Sequence, residues 1–289
     1  MSDRSLIGFA YNTHLAGAGE LVESLVAGLN LNGRSWSSSA ASFSEVEDRL
    51  DRTSLVVVVG GDGTILRTVR AIAPFSIPIV GVNMGRVGFM TELRVDEALE
   101  KLPDYLNGRS RIEERTMLEA SVNPDGDGVP SIKICALNDV VVSRGGVARL
   151  LDVDAFVDGA PLTSYRADAV IVATATGSTG YALSAGGPIV YPEGRVMLLQ
   201  PVAAHIGLRD GLIVPETSVI RLEPQSEYPS VLSVDGFFDQ ELGVGDTVTV
   251  SRSRHVARFL RSQPPSDFYG AFARRMGPVY QLRPPDQPR

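Results

Sequence analysis

The chain has 289 residues and one cysteine, Cys135. It can therefore form no intramolecular disulfide and no cysteine-based zinc site. Its three histidines, His14, His205 and His255, lie far apart and give no local metal signature. Lysine is almost missing: Lys101 and Lys133 are the only two among 27 basic residues, and 34 acidic residues leave a formal charge of −7. Nucleic acid is not an expected partner, because phosphate backbones demand clustered Lys and Arg. No apolar run approaches the roughly 18 residues of a membrane span, and no N-terminal stretch has the pattern of a signal peptide. The expectation is a cytoplasmic protein with no membrane partner.

What is present is enough apolar sequence, 44%, to build a substantial core. The length suits one large domain or two of ordinary size. Up to about residue 108, strand-like and helix-like pieces alternate. "SLIGFAY" (5–11), "SLVVVVG" (54–60) and "IPIVGVN" (77–83) read as buried strands. "AGELVESLVAGLNLNG" (18–33) has helical spacing closed by Gly33. "TILRTVRAIAP" (64–74) is helical up to Pro74, and "DEALEKLPDYLNG" (96–108) has Asp96 as a candidate N-cap. Strands that are apolar throughout, separated by helices, predict a parallel sheet covered on both faces, a Rossmann-like α/β domain.

After Gly108 the period changes to two. "LDVDAFVDG" (151–159) alternates, and "MLEASV", "IKICAL", "DVVVS", "AVIVAT", "RVMLLQ", "SVIRLE", "VLSVDG" and "DTVTVS" stand between turn signals. This predicts a β-rich, sandwich-like domain over 109–261. "DGDG" (125–128) lacks the later ligands of a calcium loop and reads as a hairpin turn. "SDFYGAFARRMG" (266–277) returns to helical spacing, so about 262–280 is expected to pack back on the α/β domain of 1–108. Residues 281–289 are expected to form a disordered tail.

Three stretches suggest chemistry. "LVVVVGGDGT" (55–64) runs a strand into Gly60-Gly61-Asp62-Gly63-Thr64. Asp-Gly favours a hairpin turn, but a hairpin needs an alternating strand on its far side, and residues 64–74 have helical spacing instead. A glycine loop between a parallel strand and a helix N-terminus suits a phosphate, since ligands bind at that edge and the helix offers free N–H groups. The lysine and spacing of a Walker loop are missing. Asp62 would repel a phosphate unless it holds magnesium or accepts a hydrogen bond from the hydroxyl to be phosphorylated.

The second stretch, "YRADAVIVATATGSTGYALSAGGPIVYP" (165–192), carries Thr176-Gly177-Ser178-Thr179-Gly180-Tyr181 after a strand. Hydroxyls, glycines and one aromatic suit a nucleotide; a β-bulge with a wide turn would use the same residues. In the third, "ALNDVVVSRG" (136–145), Asn138 and Asp139 head an apolar strand. Adjacent Asn-Asp commonly makes a turn, and it can also bind ribose hydroxyls.

Taken together and in this order, "GGDGT", "GVNMGRVGFMTE" (81–92), "LND" (137–139), "TATGSTGYALSAGGPIV" (174–190) and, more weakly, "SVDG" (233–236) resemble the NAD kinase family over roughly residues 54–277. The resemblance implies transfer of the γ-phosphoryl of ATP, or of another donor, to the 2′-hydroxyl of NAD's adenosine ribose, giving NADP. It implies magnesium bound with the donor, a site between the two domains, and a homodimer or homotetramer whose subunits complete one another. By it, Asp62 lies near the reacting hydroxyl. Gly60, Gly61, Gly63 and Thr64 line the phosphate path, with Arg67 in electrostatic support. Phe89, Asn138, Asp139, Thr179, Gly180, Tyr181 and Ser184 contact NAD, as do Asp62 and Gly63. Arg166 and Asp168 approach the nicotinamide end, partly across a subunit boundary. Asp139 stands where the family usually has Glu, Ala175 where it has Pro, and Gly180 where it has Ala. A lipid or sugar kinase sharing "GGDGT", or a non-catalytic NAD(P) sensor, are the alternatives.

Overall fold

The five apolar residues of 55–59 are satisfied only by a strand covered on both faces. The computed structural model describes residues 4–85, 88–124, 130–146, 150–225 and 228–276, and it places this run in the middle of a parallel sheet. The first elements are β1 (Leu6–Tyr11), α1 (Ala18–Gly28), β2 (Ser35–Ser39), α2 (Glu47–Leu50), β3 (Thr53–Gly60), α3 (Asp62–Ile72), β4 (Ile79–Asn83), β5 (Leu93–Arg94) and α4 (Val95–Leu106). The strands lie in the order β2-β1-β3-β4-β5, all parallel. Phe9, Val57, Val59 and Val82 share a buried cluster with Leu25 of α1 and Leu102 of α4. Val56, Val58 and Ile79 pack with Ile65, Val69 and Ile72 of α3. The strand order reverses between β1 and β3, which opens a crevice at the C-terminal ends of those strands.

The rest is mostly antiparallel: β6 (Arg111–Asn123), β7 (Ile132–Ala136), β8 (Asp139–Arg144), β9 (Leu151–Val157), β10 (Ala160–Ala167), β11 (Ala169–Thr174), α5 (Tyr181–Ser184), β12 (Val196–Val202), β13 (Leu212–Pro215), β14 (Ile220–Pro224), β15 (Ser230–Val234), β16 (Phe238–Leu242), β17 (Thr247–Arg261) and α6 (Asp267–Met276). A six-stranded sheet, β13-β12-β11-β8-β15-β16, faces strands β6, β9, β14 and β17 of an eleven-stranded sheet. Val140, Val172, Leu199 and Leu232 from one side meet Leu118, Val153, Leu222 and Val248 from the other. The long strand β17 joins the two halves. Its early residues pair with β14, and near its end Phe259 lies beside Ile79 of β4 in parallel. The eleven-stranded sheet thus runs across the boundary near residue 108. α6 returns to the first half, where Phe272 stacks on Phe89 with ring centroids 6.4 Å apart.

An α/β half, a β-rich half and a returning helix therefore match the pattern read from the sequence. Some boundaries differ. α1 stops at Gly28 instead of reaching Gly33, because Asn30 turns left-handed (φ +54°) and the Leu31 N–H bonds back to the Val26 carbonyl. Arg94, not Asp96, caps α4. Its backbone N–H donates to the Glu97 carboxylate, and Asp96 lies within the first turn, paired with Arg94 at the surface. β2, "SWSSS", is a strand although it is polar, because it buries Trp36. "DGDG" and the segment after Met276 lie outside the described residues. Among the described residues, no helix is long and apolar enough to cross a membrane.

Trp36, the chain's single tryptophan, lies flat over Gly8 of β1, and its indole N–H donates to Thr53 Oγ1 at 2.9 Å. A methyl at residue 8 would fall inside the indole ring. Gly8→Ala is expected to destabilise the fold by about 1–3 kcal/mol through overpacking. Urea unfolding followed by Trp36 fluorescence checks this, with a red-shifted native spectrum as the accompanying sign.

Candidate active site

The crevice at the strand ends is a cavity of about 400 Å³. Asn12 and His14 follow β1, Ala40 follows β2, Gly60, Gly61, Gly63 and Thr64 lie where β3 passes into α3, and Asn83 ends β4. Gly61 caps α3 in an extended conformation, and its N–H donates to Thr64 Oγ1 at 3.3 Å. Thr64 is buried, so its hydroxyl fixes the turn as well as lining the cavity. The N–H groups of Asp62 and Gly63, ahead of the Thr64 N–H that donates to the Gly61 carbonyl at 2.9 Å, precede the helical ladder and face an anion favourably. Arg67, one turn further on, reaches over the ring of Phe237 at 4.2 Å and lines the same cavity.

Asp62 opens α3. Its two oxygens accept the backbone N–H groups of Phe89 (2.9 Å) and Met90 (3.1 Å). Gly88 lies against this carboxylate so closely that any Cβ there would overlap it. The "GFM" segment at 88–90 is thus a strap across Asp62, and the carboxylate is held in one orientation. Each oxygen keeps a second lone pair for another donor.

Asn138 and Asp139 are fixed from an unexpected quarter. The carboxylate of Asp235 accepts three consecutive backbone N–H groups, from Leu137 (2.8 Å), Asn138 (2.7 Å) and Asp139 (3.0 Å). Asp235 and Gly236 both have positive φ (+51° and +67°), which makes the β15–β16 connection a type I′ hairpin turn. The next residue, Phe237, is the one under Arg67, so one hairpin touches both the glycine loop and the Asn-Asp turn.

The long loop closes on the same turn. Thr174 Oγ1 donates to the Leu137 carbonyl (2.6 Å) and accepts the Gly177 N–H (3.0 Å). Gly177 has no room for a Cβ, since the Asn138 carbonyl occupies that space. A methyl on Gly180 would lie 3.5 Å from Asn138 Nδ2 and 3.8 Å from Asp139 Oδ2, so these side chains meet at the loop. Asn138 Oδ1 and Thr176 Oγ1 are buried with no hydrogen-bond partner among the described residues. Thr179 is half-buried here, and Tyr181 and Ser184 of α5 are exposed at the rim.

Not every sequence candidate joins this cluster. Phe89 belongs to the strap and stacks on Phe272. Arg166 and Asp168 lie at the other end of β11, where Asp168 pairs with Arg144 at 3.1 Å. Asp139 and Arg144 are the two ends of β8, five steps or about 17 Å of extended chain apart. Asp235, in the weakly matching "SVDG" stretch, and Phe237, in none of the quoted motifs, were given no role by the sequence, yet both touch the candidate site residues. The signal for them was present in "VDGF", an Asp-Gly pair between alternating strands.

Burial, with a contribution from neighbouring Asp235, pushes the Asp139 carboxyl up to about 7. Burial also raises Asp235, against the opposing pull of its three N–H donors. An unfolded Asp releases its proton near pH 4. The folded state therefore binds the Asp139 proton more tightly, and the associated stability is complete below about pH 4 and gone above about pH 7. Asp139→Asn keeps the neutral form at every pH. Without ligand, its stability relative to the parent is expected to rise by on the order of 1–3 kcal/mol between pH 5 and pH 8.5, read by urea unfolding.

Comparison with known proteins agrees with this geometry. Residues 36–110 match the ATP-NAD kinase N-terminal domain, and residues 137–262 match the ATP-NAD kinase C-terminal domain. An NAD kinase of Dehalococcoides mccartyi (strain CBDB1) is 40% identical over 264 residues, 91% of this chain and 93% of its own. That of Heliobacterium modesticaldum is 44% identical over 218 residues, 75% of this chain and 76% of its own. Among solved structures, yeast NADH kinase complexed with NADH superposes with a TM-score of 0.83 at 28% identity, covering 96% of this chain and 89% of that one. An Archaeoglobus fulgidus NAD kinase in complex with ATP gives 0.73 at 26% identity, covering 93% and 98%. With both halves matched and the glycine loop, Asn-Asp turn and long loop built into one site, the chain belongs to the NAD kinase family.

Proposed function

We propose that this protein transfers the γ-phosphoryl group of ATP to the 2′-hydroxyl of the adenosine ribose of NAD, making NADP. The observation that supports this most directly is the Asp235–Phe237 hairpin. It joins a phosphate-type cleft at the N-terminus of α3, the helix that Asp62 opens, to the Asn-Asp turn on which the nucleotide-type loop closes. A lipid or sugar kinase has no use for the second half of that arrangement.

The donor lies in the crevice, its phosphates toward Gly61, Gly63 and the first turn of α3, with Arg67 adding positive charge. NAD lies along the long loop. Asn138 and Asp139 accept and donate hydrogen bonds at the nicotinamide-side ribose, and Thr179, Gly180, Tyr181 and Ser184 flank the dinucleotide. Phe89 lies near its adenosine part. The ribose oxygen bonds to the γ-phosphorus as the bond to the β,γ-bridging oxygen breaks, leaving ADP. The hydroxyl proton departs along its hydrogen bond to Asp62. Catalysis is placement and charge neutralisation, which phosphoryl transfer chiefly requires. Among the described residues no three Asp, Glu, His or Cys side chains gather as a metal cage. Magnesium bound with the donor's phosphates would neutralise part of the charge on the moving group. A cytoplasmic setting suits the unpaired Cys135.

Asp62→Asn is expected to lower kcat by about 10²–10⁴-fold while NAD affinity stays within about threefold. NADP formation from NAD, ATP and magnesium, read through an NADP-specific dehydrogenase, is the assay. Equal losses in kcat and affinity would count against the orienting role.

A homodimer or homotetramer belongs to the same proposal, because Arg166 of β10 and Asp168, just before β11, stand too far from their own chain's Asn-Asp turn to serve it. Exposed Ile206, whose carbonyl accepts the Arg166 N–H at 3.1 Å, and exposed Ile213 on the neighbouring edge strand offer apolar surface for a second copy. Co-expressing Asp62→Asn with Asp168→Ala tests it. If subunits complete each other, mixed oligomers contain one intact site and recover part of the activity that each variant alone has lost. No recovery in verified mixed oligomers would exclude a shared site.

A further inference from the structure

The strap over Asp62 has no regular secondary structure of its own, so something else must hold it. Arg261, at the end of β17, does so from behind. Its Nη1 donates to the Met90 carbonyl (3.1 Å), the Thr91 carbonyl (3.4 Å) and the Glu92 carboxylate (2.9 Å), and its Nε donates to Glu113 Oε1 (3.3 Å). Met90 is the residue whose N–H reaches Asp62, so the carbonyl side of one residue is fixed by Arg261 and its N–H side fixes Asp62.

The brace is buried and charged throughout. Arg261 is 7% exposed, Glu113 6% and Arg115 3%. Glu113 also pairs with Arg115 (2.7 Å) and Arg111 (3.0 Å). Burial works to raise its carboxyl, yet Arg115 and Arg261 outweigh that and hold it down at about 2. Glu92, the other partner of Arg261, accepts the Tyr105 hydroxyl (2.9 Å) and the Ser262 N–H (2.8 Å). A network of this kind seldom adds net stability over apolar packing. What it does supply is one geometry, since a guanidinium with its donors committed to two carboxylates and two carbonyls has a single place to sit.

We propose that Arg261, braced by Glu92 and Glu113, is a positioning residue that aims the Asp62 carboxylate by fixing the backbone of Met90 from its carbonyl side. The proposal rests on Asp62 orienting the acceptor hydroxyl. A carboxylate is free to turn about its last torsion unless its oxygens are pinned. Loosening the strap would leave the proposed NAD contacts at Asn138, Asp139, Thr179, Gly180, Tyr181 and Ser184 in place, would shift only Phe89 among those contacts together with the Asp62 carboxylate, and would spoil the alignment for transfer.

The test is a double-mutant cycle between Arg261→Lys and Asp62→Asn. Lysine keeps the charge but cannot hold both carboxylates and the Met90 carbonyl together. Arg261→Lys is expected to lower kcat by about 10–100-fold with NAD affinity, measured without donor, changed less than about threefold. In the Asp62→Asn background the same substitution should change kcat by less than about threefold, because a residue acting through Asp62 has nothing left to aim. Melting temperatures confirm that each variant is folded. Should Arg261→Lys fail to fold, Glu113→Gln, which keeps nearly every buried atom, carries the same cycle. An unchanged kcat, or an equal loss in both backgrounds, would overturn the proposal and leave Arg261 as a fold-stabilising residue. Full activity of Asp62→Asn alone would instead sink the role of Asp62 itself.

Discussion

One carboxylate taking three backbone N–H groups is the constraint around which the site is arranged. Asp235 sits at the tip of a tight hairpin in the β-rich half and grips Leu137, Asn138 and Asp139 as they enter β8. A buried carboxylate costs free energy unless such donors surround it, and three peptide N–H groups left unpaired would cost as well. Each satisfies the other. The consequence is a rigid Asn-Asp turn onto which the long loop closes, with Thr174 tying the two together and Gly177 permitting backbone to touch backbone.

The same design recurs at Asp62, where a carboxylate again organises peptide N–H groups and a glycine again makes the approach possible. The two carboxylates differ in what lies behind them. Asp235 lies in a turn whose own geometry supports it. The strap held by Asp62 is backed by Arg261 and its acidic partners, on a strand that comes from the far end of the chain. β17 therefore does two jobs: its parallel contact with β4 joins the sheets, and its last residue fixes the peptide beside Asp62.

Two departures from the family's usual residues turn out to be neighbours. Asp139 is a methylene shorter than the customary Glu, and Gly180 lacks a methyl; the missing methyl would lie 3.8 Å from Asp139 Oδ2. Both changes thin the same wall. They fall beside the Asn138 side chain and away from the residues that line the cavity at the strand ends.

By itself the sequence determined the kind of most elements and which contiguous runs carry the candidate chemistry. Period-2 and helical spacing are local properties, so β1, β3, β4, α3 and most of the β-rich strands could be read directly. The glycine loop, the Asn-Asp pair and the long Gly-Ser-Thr loop could be read as well, since each is a contiguous run whose residue types serve backbone approach and hydrogen bonding. Polar β2 was missed because Trp36 burial, a tertiary contact, makes it a strand. The early stop of α1 was missed because a left-handed Asn30 sends no periodic signal. Only the tertiary structure decided what holds the motifs in place. Asp235 bonds residues 96 to 98 positions away, and Arg261 bonds a peptide 171 positions away. Such pairings depend on which strands lie side by side, and no local spacing encodes that. For the same reason "SVDG" gave a weak family match and no more: its grip on the site was written in the sheet that brings β15 against β8.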